Sequence, residues 1–437
     1  MPPDAVRAAV AALAADGLAE ERWFGGKGEE LGPLELLGAL GPRGDEWLLA
    51  LGVGVDAYLV PALLRDGRVV EAEGPLWRAL ADACLDGETL AGEGLELRGA
   101  AGPAPAAPAV GEVRPLGIDQ SNTSVVLDER LVLKCYRRLA PGGHPEIELT
   151  RRLAQLGLSC LPAVHGSATV VVRGEEAGAL LLQDYVADGR DGWLAAEEEL
   201  GALLDAGDAA AAARAPSAWA PALGEASAEL HALLAAADGP GFAPRTATPG
   251  EMRALEAAAL AQLEEALALA DGRARDELAA AASALRARFA LFAEVEPPLL
   301  TRVHGDLHLG QFLRRETGRP ALVDFEGEPT RTAAERRRPG SPLRDLAGLL
   351  RSVDHAGHWV CHTRGEDAGP VAAAWIAAAR REIRTAYERR LPVDGRLLAA
   401  FEAEKAVYEF VYAVRFLPSW LDVPRRALPS AVTPGLY

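Results

Sequence analysis

Two short polar segments near residue 306 carry side chains suited to phosphoryl transfer. Asp306 lies in His304-Gly305-Asp306, Gln311 follows five positions later, and Asp324 opens the run Asp324-Phe325-Glu326-Gly327. An aspartate can accept the proton of an attacking hydroxyl, while an amide and a second carboxylate can hold Mg²⁺ against the phosphates of ATP. The pattern predicts a kinase with Asp306 as the general base and with Gln311 and Asp324 as Mg²⁺ ligands.

The residues between these segments predict a hairpin that brings the two Mg²⁺ ligands together. Apolar, strand-like runs at 311–313 and 321–323 flank a turn at 316–318. A zinc site is the competing interpretation, because His304 and His308 stand four positions apart. Gly305 disfavours the helix that such a pair requires, so His304 is expected to brace the loop instead.

Length, composition and charge favour a multidomain enzyme with a small, neutral or cationic substrate. The chain has 437 residues, 49% of them hydrophobic, and a formal net charge of −18. This charge argues against nucleic acid or an anionic membrane as a partner, and the apolar runs are too short for a membrane span. The four cysteines form no CxxC pair and no signal-peptide pattern opens the chain, so we expect a cytoplasmic protein.

The chain divides into four predicted segments. Short β-rich runs with flanking helices indicate an N-terminal domain at 1–100, and a run rich in Pro, Ala and Gly predicts a linker at 101–110. A strand-rich lobe follows at 111–190. Long Ala/Leu/Glu patterns, at about 196–237 and 250–294, then predict a helical lobe at 191–437.

A lysine and a glutamate of the strand-rich lobe are expected to orient ATP. Lys134 lies in an alternating run at 131–136 and is predicted to reach the α- and β-phosphates, although a solvated strand lysine is the alternative. A helix predicted to begin near Pro145 carries Glu146 and Glu148 in its first turn. One of them is expected to pair with Lys134. We favour Glu148 and keep Glu146 open.

Two further segments of this lobe are candidates for nucleotide contacts. A polar turn before Lys134 is predicted to cover the phosphates through backbone N–H groups and small side chains, and an ordinary polar turn is the alternative. Its candidate residues are Ser121, Asn122, Thr123 and Ser124. Gln183, Tyr185 and Val186, at the end of an apolar strand, are predicted to form the hinge that receives adenine, unless the strand serves only as core.

Six segments together resemble a known family. They are residues 22–28, 119–124, 304–311, 324–329, 335–337 with 341–345, and 404–409. They resemble the aminoglycoside phosphotransferase-like kinase superfamily and, within it, the bacterial maltokinases. The resemblance implies an α+β, bilobal protein-kinase-like fold with an N-terminal maltokinase-type cap domain, an intermediate subdomain with the nucleotide loop and a helical C-lobe. It also implies ATP- and Mg²⁺-dependent conversion of maltose to maltose 1-phosphate for α-glucan synthesis, and association with a trehalose synthase-type enzyme.

The resemblance also implies a sugar site in the helical lobe. The residues expected to bind sugar are His308, Glu326, Arg344, Asp345, Lys405, Tyr408, Glu409 and Trp420. Four aromatic residues, Tyr408, Tyr412, Phe416 and Trp420, recur at helical spacing and suit stacking on pyranose faces, with an aromatic core stripe as the alternative. Ala413 stands where the maltokinase pattern repeats a carboxylate.

Two other functions stay open. The run at 351–358 and the ending at 416–420 resemble the actinobacterial glucosamine kinases. An amino sugar would need a carboxylate beside its ammonium group, for which Asp354, Glu409 and Asp422 are candidates. A pseudokinase that binds sugar without turnover is a further alternative, although every catalytic position holds a competent residue. Maltokinase is the main hypothesis.

Overall fold

The computed structural model describes residues 6–8, 10, 34–65, 68–105, 110–117, 122–365 and 369–433. The predicted nucleotide-loop residue Ser121 and the resemblance segment 22–28 lie outside these ranges. The chain divides into two compact units: residues 1–155 with 161–187, and residues 156–160 with 188–437. The predicted N-terminal domain and the predicted strand-rich lobe both contribute to the first unit.

In its described ranges, the first unit is built from antiparallel strands and helices. The strands are β1 (Glu35–Arg43), β2 (Glu46–Val53), β3 (Asp56–Arg65), β4 (Arg68–Glu71), β5 (Thr89–Ala91), β6 (Leu95–Ala101), β7 (Val113–Pro115), β8 (Thr123–Leu127), β9 (Leu131–Cys135), β10 (Arg138–Leu139), β11 (Val164–Val172) and β12 (Glu175–Asp184). The helices are α1 (Pro75–Asp86) and α2 (Pro145–Leu156). One sheet has the order β1-β2-β3-β10, with β4 also paired to β3, and the other has the order β5-β6-β11-β12-β9-β8-β7.

Strand β2 is buried on both faces and separates two apolar cores. Alternate side chains point to opposite faces of a strand, so Leu48 and Ala50 enter one core while Leu49 and Leu51 enter the other. The core on the side of Leu48 also contains the buried face of α1. Glycine is required where α1 meets the second sheet, because a Cβ added at Gly99 would lie 1.9 Å from the carbonyl oxygen of Ala83. The sequence thus permits a helix to lie directly on the sheet.

The first residues of the predicted linker continue the second sheet. Strand β6 runs to Ala101, and the N–H groups of Gly102 and Ala104 donate to the carbonyls of His165 and Val164. Proline and glycine at sheet edges do not prevent such pairing where the N–H groups of intervening residues remain available. Residues 106–109 of the predicted linker lie outside the described ranges.

The second unit is mainly helical, and its first long helix begins at Gly192. Its helices are α3 (Gly192–Ala206), α4 (Ala209–Arg214), α5 (Ala220–Ala235), α6 (Pro249–Leu269), α7 (Gly272–Glu294), α8 (Ala333–Arg336), α9 (Pro342–Thr363), α10 (Pro370–Glu388), α11 (Gly395–Phe416) and α12 (Asp422–Val432). Short 3₁₀ turns cover Ala215–Ala218, Leu309–Gln311 and Pro418–Trp420. Strands β13 (Arg190–Asp191), β16 (Phe312–Arg314) and β17 (Ala321–Leu322) form a small sheet, and β14 (Arg245–Thr246) pairs with β15 (Leu299–Leu300).

Helix α9 is the central helix of the second unit. Most of its residues are buried, including the charged side chains of Asp345, Arg351 and Asp354. Buried charges are costly unless they are paired, so these residues mark the places where the interior has specific polar partners. Across the described part of the chain, no helix has both the length and the apolar character required to cross a membrane. The four cysteines are buried, and none of them forms a disulfide.

Candidate active site

A buried carboxylate, that of Asp345, holds the loop that carries Asp306. Asp345 accepts the backbone N–H of His304 at 2.7 Å and that of Gly305 at 2.9 Å, and its Oδ2 lies 3.1 Å from Nε2 of His231. Burial opposes ionisation, but these hydrogen bonds and the histidine hold the pKa of Asp345 below its usual value. On the other side of the loop, His304 Nε2 lies 3.0 Å from the carbonyl oxygen of Val323, which is the bracing contact expected for this histidine.

The sequence predicted that Asp345 binds sugar, whereas in the structure its side chain contacts groups of the protein. Its side chain is only 3% exposed, and both of its oxygens already accept hydrogen bonds from within the unit. Asp345 therefore holds the backbone of the loop that carries Asp306. The sequence could not separate these two roles, because a carboxylate at this position suits either.

The predicted hairpin is present and brings Gln311 beside Asp324. Phe312 pairs with Leu322 and Leu313 with Ala321, and the N–H of Val323 donates to the carbonyl of Gln311 at 3.0 Å. Asp324 has a φ of +63°, in the left-handed region that non-glycine residues seldom occupy. This conformation turns the chain sharply after β17, at the residue predicted to hold Mg²⁺.

His308 contacts the Mg²⁺ candidate Gln311, and its predicted role in sugar binding stays a prediction. His308 Nδ1 accepts the N–H of Gly310 at 3.1 Å, and burial lowers the pKa of His308, so the ring is neutral at neutral pH. A neutral ring with Nδ1 as acceptor carries its proton on Nε2. That proton faces the side-chain amide of Gln311, whose nearer terminal atom is 3.0 Å away.

The tautomer of His308 decides which end of the Gln311 amide faces Asp324. The terminal atom next to His308, assigned as Nε2, lies 3.4 Å from Asp324 Oδ2. Because the His308 N–H requires an acceptor, exchanging the oxygen and nitrogen of the amide satisfies the ring and places an amide oxygen beside the carboxylate. Two oxygen ligands of one octahedral Mg²⁺ lie about 3 Å apart. The residues present therefore fit Mg²⁺, which Gln311 and Asp324 would hold.

A chain of ion pairs connects the base candidate Asp306 to α9 and α11. Lys405 Nζ lies 3.5 Å from Asp306 Oδ1 and 3.3 Å from Glu328 Oε1. Arg344 in turn pairs with Glu328 at 3.2 Å and with Glu404 at 3.1 Å. Lys405 and Arg344 were both predicted to bind sugar. In the structure they are engaged by carboxylates, and they fix the position of α11 relative to the catalytic loop.

Charge pairing keeps the groups of this chain ionised. Burial would raise the pKa of Glu328, but Arg344, Lys405 and Arg331 lower it to about 2. Burial would lower the pKa of Lys405, but Asp306 and Glu328 raise it above its ordinary value. Lys405 is therefore a fixed positive charge beside the base candidate.

Glu409 lies one helical turn after Lys405 and has a separate set of partners. Arg351 donates to Glu409 Oε2 from Nε at 3.2 Å and from Nη2 at 2.9 Å, and His355 Nε2 lies 3.0 Å from the same oxygen. Burial opposes ionisation of Glu409, but His355 and Arg351 lower its pKa to about 2. All of these contacts use Oε2, and Oε1 accepts no hydrogen bond from the described residues.

Of the four aromatic residues predicted at helical spacing, Tyr412 and Phe416 are exposed while Tyr408 and Trp420 are partly buried, so they do not form a core stripe. The rings of Tyr408 and Tyr412 are 6.2 Å apart, those of Tyr412 and Phe416 are 5.2 Å apart, and Phe416 is 60% exposed. Lys405 Nζ lies 4.7 Å from the ring centre of Tyr408. Trp420 packs against Trp359 at 4.7 Å between ring centres.

Three other carboxylates that the sequence suggested as partners of the sugar are paired with arginines. Glu326 lies 3.7 Å from Arg336. Asp422 pairs with Arg425 at 3.0 Å. Asp354 is completely buried against Arg380, so it is excluded as a direct partner of a sugar ammonium group. Among the three carboxylates proposed for that role, Glu409 is the one that shares a helix face with Lys405 and Tyr408.

In the first unit, the predicted lysine–glutamate pair forms with Glu146 rather than with Glu148. Lys134 Nζ is 2.8 Å from Glu146 Oε2, which also accepts the hydroxyl of Tyr136 at 2.7 Å. Residues two positions apart on a helix point to different sides, so Glu146 and Glu148 cannot face Lys134 equally. Glu148 extends toward Gly143 instead, where an added Cβ would meet its carboxylate at 2.1 Å.

The remaining nucleotide candidates occupy the edge and end of the second sheet. Thr123 opens β8, and its hydroxyl accepts from Arg137 at 2.7 Å and lies 3.2 Å from Glu71, so the unit itself uses this side chain. Asn122 and Ser124 flank it. Gln183 pairs with Val132 across β12 and β9, while the N–H of Tyr185 donates to the carbonyl of Arg130 at 2.7 Å. Val186 follows directly. Their contacts with a nucleotide stay predictions.

Sequence reasoning missed the residues that support the site from within. Arg351 and Glu328 lie inside the segments 351–358 and 324–329, but the sequence predicted no role for either of them or for His231. Each of them acts through a partner tens of residues away in the chain. Spacing reveals local sets such as Asp306 and Gln311, and it carries no information about such distant pairs.

The chain is similar in sequence and in structure to known phosphotransferases. Residues 112–392 match the model of the phosphotransferase enzyme family. The chain is 34% identical over 334 residues to a glucosamine kinase from Streptacidiphilus jiangxiensis, covering 74% of each chain. It is 31% identical over 331 residues to one from Mycolicibacterium smegmatis, covering 74% of this chain and 80% of that one. A solved structure of a glucosamine kinase in complex with glucosamine, ADP and inorganic phosphate has a TM-score of 0.75, 27% identity, and coverage of 98% and 99%.

These similarities confirm the predicted α+β, aminoglycoside phosphotransferase-like fold, and they confirm the predicted enzyme class, a phosphotransferase with an alcohol group as acceptor. The match covers well over half of the chain and includes Asp306, Gln311 and Asp324. The chain therefore belongs to the phosphotransferase enzyme family.

Proposed function

We propose that this protein is an ATP- and Mg²⁺-dependent amino-sugar kinase of the glucosamine kinase type. The observation that carries the proposal is the agreement of the relatives: two glucosamine kinases are 34% and 31% identical over three quarters of the chain. The amino-sugar alternative from the sequence is thereby better supported than the maltokinase hypothesis. The carboxylates around α11 suit a cationic acceptor.

The catalytic loop supplies the groups for the transfer. ATP provides the phosphoryl group when bound, and Mg²⁺ offsets its charge. Asp306 takes the proton of the acceptor hydroxyl while the hydroxyl oxygen forms its bond to phosphorus and the bond from phosphorus to the ADP oxygen breaks. Lys405, 3.5 Å from Asp306, keeps this carboxylate oriented and offsets negative charge that develops beside it.

Glu409 is the residue that we assign to the ammonium group of the acceptor. Its Oε2 is occupied by Arg351 and His355, whereas Oε1 accepts no hydrogen bond from the described residues. A carboxylate that stays ionised and has one uncommitted oxygen is a suitable partner for an ammonium donor. Glu409 follows Lys405 by four residues on α11, so both face the same side of the helix.

Maltose is the second candidate acceptor. It is favoured by the resemblance of residues 324–329 to the maltokinases, whereas Ala413 departs from that pattern. Maltose has no ammonium group, so it would leave Oε1 of Glu409 with a neutral hydroxyl partner.

The test is a coupled ATP-consumption assay with Mg²⁺ and a panel of glucosamine, N-acetylglucosamine, glucose, maltose and an aminoglycoside. We expect glucosamine to give the highest kcat/KM, and N-acetylglucosamine to fall well below it because acetylation removes the charge. Mass spectrometry of the product identifies the sugar phosphate. A clear preference for maltose would overturn the proposal in favour of the maltokinase function, and ATP consumption independent of any sugar would overturn both.

A further inference from the structure

A fully buried arginine connects Glu409 to the C-terminal helix α12. Arg351 lies on α9 with a side chain that is 0% exposed. Its Nε and Nη2 donate to Glu409 Oε2, while Nη1 donates to the carbonyl of Ala427 at 2.8 Å and to the hydroxyl of Ser430 at 2.9 Å. Each nitrogen of the guanidinium group therefore has a partner, and the planar group cannot rotate without losing several hydrogen bonds.

Ser430 bridges Arg351 to a second buried charge. Its hydroxyl lies 2.8 Å from Asp354 Oδ2 and 2.7 Å from the carbonyl of Ala427 on its own helix, and Asp354 Oδ2 also accepts from Arg380 at 3.0 Å. Arg380 continues to Glu402 on α11 at 2.5 Å. The network thus begins and ends on α11, and it passes through α9, α10 and α12. Its geometry depends on α12 through Ala427 and Ser430.

Among the described residues that these hydrogen bonds connect, carboxylates outnumber guanidinium groups. Three carboxylates, Glu409, Asp354 and Glu402, face two guanidinium groups, those of Arg351 and Arg380. His355 adds a hydrogen bond to Glu409, and it adds a positive charge only when it is protonated. An unbalanced negative charge inside a protein favours binding of a cation at the point that solvent can reach. Asp354 is inaccessible, whereas Glu409 is partly exposed.

We infer that Arg351 and Ser430 are positioning residues that set the preference for an amino sugar. By holding Glu409 through Oε2 alone, they give Oε1 a fixed place at which an ammonium group completes the charge balance. This inference rests on the proposed function, and it adds that acceptor selectivity depends on α12, a helix that contains none of the predicted site residues except Asp422.

The position of Glu409 should matter more for a sugar with an ammonium group than for a neutral sugar. A neutral sugar accepts a small displacement of Glu409, because hydroxyl groups donate and accept in many directions. An ammonium group depends on the placement of a charged oxygen, and hydrogen bonds between charged groups are about twice as strong as neutral ones. Loosening Arg351 therefore weakens recognition of glucosamine more than recognition of glucose.

The experiment compares Ser430→Ala, Ser430→Thr and wild type for kcat and KM with glucosamine and with glucose at saturating MgATP. Ser430→Ala removes the hydroxyl between Arg351 and Asp354, while Ser430→Thr keeps it. We expect the glucosamine-to-glucose ratio of kcat/KM to fall about fivefold in Ser430→Ala, equal to about 1 kcal/mol, chiefly through the KM for glucosamine. Ser430→Thr should restore most of the ratio.

Ser227→Ala is the matched control. Ser227 is a buried serine on α5 whose hydroxyl bonds to its own helix at the carbonyl of Leu223, at 2.8 Å, outside the charged network. A purely structural cost of losing a buried hydroxyl would appear in both alanine variants, and it would reduce turnover of both sugars alike. The selectivity ratio should change only in Ser430→Ala.

Arg351→Lys gives a second test that does not depend on Ser430. Lysine keeps the charge but cannot make the forked contacts, so the ratio should fall at least as far as in Ser430→Ala. An unchanged ratio in both variants, with glucosamine still the best wild-type acceptor, would overturn this inference alone. A wild-type preference for a neutral sugar would overturn the proposed function, and with it the ammonium site that these residues are inferred to position.

Discussion

The contact between His308 and Gln311 leads to a prediction about Mg²⁺ affinity. His308→Asn places an amide oxygen near the position of Nδ1, where it can still accept the N–H of Gly310, but it removes the Nε2–H donor that faces Gln311. Without that donor, the Gln311 amide is free to turn its nitrogen toward Asp324, and the oxygen ligand of the ion is lost for part of the time.

The size of the effect follows from the bond that is removed. A neutral hydrogen bond contributes about 0.5–1.5 kcal/mol. Loss of a side chain that orients a metal ligand reduces metal affinity or activity by about 10- to 100-fold. We therefore expect the Mg²⁺ concentration for half-maximal activity to rise about tenfold in His308→Asn, with kcat largely recovered at high Mg²⁺. The pKa of His308 is lowered by burial, so the effect should persist across neutral pH.

Two assays measure this prediction independently of each other. The first is a Mg²⁺ titration of initial rate at saturating ATP and acceptor. The second is calorimetry of ADP binding at several Mg²⁺ concentrations, which requires no turnover. His308→Gln is the matched variant, because its longer amide can return a donor to the position of Nε2, and we expect it to lie closer to wild type. If Gln311→Ala raises the Mg²⁺ requirement while His308→Asn does not, the argument from the tautomer is refuted.

The other predictions concern the base and its supports. Asp306→Asn should lower kcat at least about 100-fold while calorimetry shows nearly unchanged MgADP binding, and turnover near wild type would refute the base assignment. Asp345→Asn should lose about 2 kcal/mol in urea unfolding, because one amide oxygen cannot replace a carboxylate that accepts from His304 and Gly305; an unchanged midpoint would contradict this. The pKa of Glu328 is lowered from 4.5 to about 2, so its stabilisation is complete above about pH 4.5 and is lost as the pH falls toward 2. The stability difference between wild type and Glu328→Gln should therefore shrink over that range, and a difference independent of pH would contradict the ion-pair argument.

Local sequence spacing predicted the parts of the site that are local in the chain. The strand–turn–strand pattern between Gln311 and Asp324 is a hairpin in the structure, with the two residues side by side. The alternation around Lys134 and the acidic first turn of α2 likewise predicted an ion pair with a glutamate. The pattern did not decide between Glu146 and Glu148, because both fit the first turn and only the orientation of the helix selects one of them.

Sequence reasoning failed where a polar residue acts on a distant part of the chain. Asp345 and His308 were both expected at the sugar. In the structure, Asp345 accepts N–H groups of the loop that carries Asp306, and His308 contacts Gln311. A carboxylate or an imidazole near a catalytic motif has the same appearance in sequence whether it faces a ligand or a backbone N–H group. The difference lies in burial and in the remaining partner, here His231 for Asp345, which comes from a helix more than 100 residues earlier.

Helix α11 joins the two charged groups that an amino-sugar acceptor would meet. Lys405 contacts Asp306, and Glu409 follows four residues later on the same side of α11. Their backbone positions are therefore about 6 Å apart along the helix axis. Both are fixed by buried partners, Lys405 through Glu328 and Glu409 through Arg351. The distance between Lys405, which contacts the base candidate Asp306, and Glu409, the proposed ammonium site, is therefore set by one helix. For the proposed amino-sugar acceptor, we therefore expect selection by the separation between the reacting hydroxyl and the amino group as well as by charge. An amino group at another ring position should lose the contact with Glu409 even though its charge is the same.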